Sequence, residues 1–194
     1  MDSRKSTAII LLHEIYGINE HISDMRRKFA GLGFDVYCMD FFDGRVYDYE
    51  ESEAAYLYFI EKVGFKKASY KVLDMLEIIR CKYQNVFVVG YSIGATIAWL
   101  CSEEYELIDG IVCYYGSRIR DYLDIVPKVE TQLFFPEKEA SFDIDDLIEK
   151  LSSKAKVNTM KFEGLHGFSD KYSLNYNKES KEMSEKLLIE FISR

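Results

Sequence analysis

A chain of 194 residues, 48 % apolar and 15 % aromatic, has the length of one domain and enough hydrophobic material to fill a sizeable core. Its formal net charge of -8 argues against nucleic acid or an anionic membrane surface as partner, because both recruit clustered lysines and arginines. Cys38, Cys81, Cys101 and Cys113 lack Cys-x-x-Cys spacing and read as reduced core residues, and the apolar run Ala8 to Leu12 is too short for a signal-peptide core or a membrane span, so the expected location is the cytoplasm.

Strand and helix patterns alternate along the chain without a linker or repeat, which predicts one α/β domain over 1–194 with a mostly parallel sheet flanked by helices. Thr7 to Leu12 reads as a buried strand. Ile22, Met25, Phe29 and Leu32 recur at helical spacing, with Ser23 a candidate N-cap and Gly33 a stop. Phe34 to Met39 is a second strand that leaves the sheet through Asp40 to Gly44. From Arg45 to Val63 the chain is rich in tyrosine, with a short helix expected over Glu53 to Ile60; its rings either line a pocket or cover the sheet.

A longer helix carrying Ala68, Val72, Met75, Leu76 and Ile79 on one face leads to the strand Asn85 to Val89. Gly110 to Tyr115 and Thr131 to Phe135 are further strands, the latter ended by Pro136. An amphipathic helix marked by Ile144, Leu147, Ile148 and Leu151 precedes the last strand, Lys156 to Phe162. A polar loop from Gly164 to Asn177 then leads to a helix whose Met183, Leu187, Leu188, Phe191 and Ile192 should face the sheet.

The chemical signal lies at Gly90-Tyr91-Ser92-Ile93-Gly94, set between a β-branched strand and an apolar helix. A serine at such a turn sits in strained backbone with its hydroxyl pushed over the sheet edge, and glycines flank it where strand and helix cross closely; this is the nucleophile elbow of α/β-hydrolases. Serine needs a base and an orienting acid, which in this fold follow in the order serine, acid, histidine. Of the three histidines only His166 lies downstream of Ser92, just past the final strand. The acid belongs after the strand Thr131 to Phe135, where Glu137, Glu139, Asp143 and Asp145 are all within reach. The oxyanion donors should be the amide of Ile93 and one from a residue just after Leu12. His13-Glu14-Ile15-Tyr16-Gly17 is not a zinc helix, and no lysine follows Gly94 as a phosphate loop requires, so no metal and no cofactor is expected.

Several separated segments together resemble the dienelactone hydrolase family: Leu12 to Asn19, Gly31-Leu32-Gly33-Phe34, Asp40, Gly90 to Gly94, Tyr114-Tyr115-Gly116 and His166-Gly167-Phe168. The resemblance implies an α/β-hydrolase fold, here trimmed of the leading β-hairpin usual in the family. It implies Ser92 as nucleophile, His166 as base and Glu139 as acid. It also implies Ile15 with Ile93 at the oxyanion hole, and Glu14 and Tyr115 as substrate-binding residues. Well-known members use cysteine at the nucleophile position, so serine here implies ordinary serine-hydrolase chemistry. They also hold a substrate carboxylate with two arginines; the matching places carry Ser52 and Asp170, while Arg45 and Lys171 fall off the motif, which argues against dienelactone itself as substrate.

The leading expectation is hydrolysis of small-molecule carboxylic esters or lactones through a Ser-His-Glu triad and an acyl-enzyme, with activity rising with pH as His166 loses its proton. A competing reading, motivated by the substituted acid loop and the absent arginines, is a hydrolase-fold binding or regulatory module that has kept the pocket and lost turnover.

Overall fold

Central strands built from runs such as Ala8-Ile9-Ile10-Leu11-Leu12 are apolar on both faces, so the sheet they form must be covered on both sides. The computed structural model describes residues 5–194 and shows this arrangement. Six parallel strands, β1 (Lys5–Leu12), β2 (Asp35–Met39), β3 (Tyr83–Tyr91), β4 (Gly110–Tyr114), β5 (Glu130–Pro136) and β6 (Val157–Phe162), lie in the order β2-β1-β3-β4-β5-β6. The α-helices are α1 (Glu20–Gly31), α2 (Ser52–Tyr58), α3 (Phe65–Arg80), α4 (Ile93–Leu100), α5 (Ile144–Ser152) and α6 (Lys178–Ile192).

Side chains alternate between two cores, as the pleat requires. Ile10, Leu12, Val88 and Ile111 meet α3, α4 and α5 through Val72, Leu76, Ile97 and Leu147. Ile9, Leu11, Val89 and Val112 meet α1 and α6 through Ile22, Phe29, Leu188 and Phe191. The chain runs from β1 out to β2, then returns past β1 to β3 and continues to β6. The direction of winding therefore reverses between β1 and β3, and the crevice beyond the carboxyl ends of such strands is where open α/β sheets bind ligands. No helix among the described residues is long and apolar enough to cross a membrane.

The structure corrects several local expectations. The N-cap of α1 is Asn19, whose extended backbone lets its side chain accept the Ile22 N–H at 3.2 Å; Ser23 lies inside the helix. The Tyr-rich stretch is a 3₁₀ turn (Tyr49–Glu51), α2 and a π turn (Phe59–Val63) in succession. Its tyrosines divide between the two expected roles: Tyr47 and Tyr58 pack on the core, whereas Tyr49 and Tyr56 line cavities. Met183 is 61 % exposed, because the inward stripe of α6 runs through Ser180, Ser184, Leu188 and Phe191, one helical step away. β4 stops at Tyr114, and Tyr115 turns out of the sheet with φ 41°. All four cysteines are free, but only Cys101 and Cys113 are core residues; Cys81, just past α3, is exposed.

β3, α4 and the end of β1 approach one another too closely for side chains. A Cβ on Gly90 would stand 2.2 Å from the Gly94 carbonyl oxygen, and one on Gly94 would stand 2.5 Å from the Leu12 carbonyl oxygen. Backbone atoms cannot swing aside as a flexible side chain would, so a methyl group here is overpacking. Gly94→Ala is expected to cost about 2–3 kcal/mol in chemical denaturation. The control Gly31→Ala, in a helix with open space around it, should leave stability unchanged or raise it by up to about 1 kcal/mol.

Candidate active site

The groups of the candidate site stand on loops that leave the carboxyl ends of the strands. Ser92 links β3 directly to α4 with φ 53° and ψ -110°, a left-handed conformation unusual for a residue with a side chain. Its amide donates to the Tyr114 carbonyl at 2.9 Å, continuing the β3–β4 ladder by one residue, and its own carbonyl already accepts from Thr96 in α4. The residue is thus held by the sheet at one end and by the helix at the other, which leaves the side chain in the crevice.

His166, after β6, places Nε2 2.9 Å from Ser92 Oγ, and its Nδ1 lies 2.5 Å from Glu139 Oε1. The Glu139 carboxylate is nearly enclosed, with 9 % side-chain exposure against 35 % for the imidazole. The imidazole is braced by the Asn175 amide, which donates to the His166 carbonyl at 2.8 Å, and by the Tyr115 ring with centroids 4.9 Å apart. The other acids near β5 have different employment. Asp143 caps α5, Asp145 pairs with Lys161, and Glu137 is exposed.

Two cavities meet at the Ser92–His166 pair. The larger, about 310 Å³, has Ile15, Ile93, Thr96, Ser52, Tyr56 and Arg118 in its wall. Ile93 opens α4, and the first turn of a helix leaves its N–H groups without intrahelical partners, which suits them to a developing oxyanion. The smaller, about 140 Å³, is lined by Glu14, Asp170, Tyr16 and Tyr49 together with residues of the loop that follows His166. Glu14 is buried and accepts the Tyr115 hydroxyl at 2.7 Å; desolvation raises its pKa, opposed by nearby His21 and reinforced by Asp170. Tyr115, expected to bind substrate, is wholly buried behind the wall of this recess, with its hydroxyl on Glu14 and its ring against His166.

The model of the dienelactone hydrolase family matches residues 1–194. The chain belongs to the dienelactone hydrolase family. An uncharacterized protein of Bacillus subtilis (strain 168), YczH, is 39 % identical over 173 residues, covering 88 % of this chain and 84 % of its own. Among solved structures, a candidate dienelactone hydrolase of Klebsiella pneumoniae subsp. pneumoniae superposes with TM-score 0.82 at 18 % identity over 98 % of this chain and 88 % of its own. The dienelactone hydrolase-like promiscuous phosphotriesterase P91, from metagenomic libraries, gives 0.78 at 15 % identity over 100 % and 87 %. These likenesses establish the α/β-hydrolase fold, and the family makes the protein a hydrolase of the ester- and lactone-cleaving kind.

Within this dienelactone hydrolase family member, Ser52 and Asp170, which stand where arginines are usual, face the two cavities. Arg45 instead lies over the Tyr58 ring, and Lys171 pairs with Asp24. The cation in the larger cavity is Arg118, which donates to the Tyr56 hydroxyl at 2.6 Å and to Asp121 at 3.2 Å. Sequence reasoning missed it because it lies on a 3₁₀ turn, Ser117–Asp121, with no motif of its own.

A second residue without an assigned role in the sequence is His13. Fully buried at the end of β1, it puts Nδ1 2.5 Å from the Glu14 carbonyl and accepts the Phe41 N–H through Nε2 at 3.0 Å. That pattern defines a neutral ring protonated on Nδ1, which pins the loop carrying Glu14 and Ile15 to the chain leaving β2. Burial lowers its pKa from 6.5 to about 4, against smaller opposing effects of the Glu14 carbonyl and Asp40. Because the unfolded chain takes up this proton first, stability is fully present above pH 6.5 and is lost as pH falls to about 4, a contribution of about 3 kcal/mol. Urea unfolding at stepped pH should show the wild-type and His13→Asn curves far apart at pH 7 and converging across that window.

Proposed function

We propose that the protein is a serine hydrolase of small-molecule carboxylic esters or lactones, with Ser92 as nucleophile, His166 as general base and Glu139 as the acid that holds the imidazole. The observation that carries this reading is the unbroken hydrogen-bonded chain from Ser92 Oγ through both nitrogens of His166 to Glu139. His166 Nε2 accepts the serine proton as Oγ attacks the carbonyl. Glu139 fixes the tautomer and stabilises the imidazolium, and the amides of Ile15 and Ile93 take the oxyanion. Collapse expels the alcohol with the proton from His166, and water repeats the sequence on the acyl-enzyme. The proline and glutamate in the acid loop, which motivated the non-catalytic alternative, are compatible with this chemistry, since Glu139 reaches Nδ1 from that loop.

The metagenomic relative described as a phosphotriesterase suggests that the same serine also attacks phosphoryl centres, which makes organophosphates suitable reagents. A fluorophosphonate probe or paraoxon should label the folded protein once per chain at neutral pH, and Ser92→Ala should abolish labelling. With p-nitrophenyl acetate, His166→Ala and Glu139→Gln are expected to lower kcat by about 10²- to 10⁴-fold, and activity in the wild type should climb as pH rises. Wild-type rates in Glu139→Gln would remove that residue from the mechanism; an unlabelled, folded wild type would remove the serine.

A further inference from the structure

The smaller cavity is unlike the larger one in charge. Two enclosed carboxylates, Glu14 and Asp170, face it, 4 % and 0 % exposed. Among the described residues no lysine or arginine lines it; Arg118 lines the other cavity, which shares Ser92 and His166 with this one. Asp170 accepts the Tyr172 N–H at 2.9 Å and the Tyr49 hydroxyl, and its nearest base is His21, with Nδ1 3.7 Å away. Among the described residues the Glu14 carboxylate takes one hydrogen bond, from Tyr115, with His21 and His166 acting on it only at longer range, although a carboxylate can accept about four. Burial favours the neutral acid at Glu14, and an adjacent cation is the partner that offsets it.

The walls suit a cation for a second, independent reason. Tyr16 and Tyr49, whose rings pack on one another with centroids 4.5 Å apart and planes tilted by 47°, both line the recess, and aromatic rings attract ammonium groups. Asn175 and Ser173 complete a polar surround. A space of about 140 Å³ suits a small alkylammonium head. Much of its wall comes from the loop bearing His166, Gly167 and Asp170. His166 lines both cavities, but the loop that follows it walls the smaller one alone; since His166 returns its proton to the departing oxygen, we place the leaving alcohol in that recess.

We propose that this recess is a leaving-group subsite selective for an ammonium-bearing alcohol, with Glu14, Asp170, Tyr16 and Tyr49 as its recognition surface. The proposal rests on the serine-hydrolase reading and adds the substrate class. Ser92 Oγ bonds to the acyl carbon and gives its proton to His166. The ester C–O bond then breaks, the same proton passes to the alcohol oxygen, and the amino alcohol leaves with its positive charge unchanged. Water finally hydrolyses the acyl-enzyme to the acid and regenerated serine.

The test compares butyrylcholine with 3,3-dimethylbutyl butyrate, which replaces the quaternary nitrogen by carbon at similar size and shape. The expected result is a kcat/KM about ten-fold or more higher for the choline ester, falling to about two-fold or less in Asp170→Asn and in Glu14→Gln. Equal rates in the wild type, or a preference for the neutral ester, would overturn the proposal. Calorimetric titration of the wild type with choline and with 3,3-dimethylbutanol gives a readout independent of turnover and of how well the variants fold. Saturable binding of choline alone, together with slower fluorophosphonate labelling of Ser92, supports the recess. Absence of choline binding with Ser92 still labelled rejects the recess and leaves the hydrolase standing. Choline binding without any labelling of Ser92 upholds cation recognition and rejects the hydrolase.

Discussion

The site depends on how closely two pieces of backbone pass one another. Gly90 and Gly94 let α4 press onto β3 and the end of β1 at distances no side chain would tolerate. From that approach follow the left-handed serine, the helix N-terminus beside its hydroxyl, and the alignment of the loop after β1 with the start of α4. The backbone strain at Ser92 is of a kind that costs of order 1–3 kcal/mol when isolated. Here it is over-determined by a sheet hydrogen bond on one side and a helix on the other.

Around this crossing the fold distributes its polar groups by strand. The loops after β1, β3, β5 and β6 all send groups to the crevice, and Tyr115 after β4 holds Glu14. Parallel strands make this possible, since all their carboxyl ends open on one side. The buried members are anchored in pairs: His13 holds the backbone of the β1 loop, and Tyr115 holds the carboxylate of Glu14. Burial of so many polar groups is sustained by hydrogen bonding, which also restricts each of them to one orientation.

Much of this was legible in the sequence because it is written in local patterns. Gly-x-Ser-x-Gly between an apolar strand and an apolar helix specifies a turn by sterics, and a single downstream histidine left no competitor to His166. The mostly parallel sheet flanked by helices followed from alternation of elements, whereas the strand order did not. What could not be read depends on contacts between distant segments. Four acids near β5 look alike in sequence, and only tertiary structure gives Asp143 and Asp145 other partners. Arg118 is invisible for the same reason, since its place in the larger cavity arises from the packing of its 3₁₀ turn near α2. Met183 was misplaced because an amphipathic helix with serines on its inner stripe blurs the face that periodicity alone defines.

The imidazole follows β6, a border strand that among the described residues pairs with β5 alone. The serine, by contrast, follows β3, which is bonded on both sides. The two halves of the reacting pair therefore rest on parts of the sheet with different mechanical support. Fraying at that rim would carry His166 away from an intact Ser92, breaking their hydrogen bond by a local opening far smaller than unfolding.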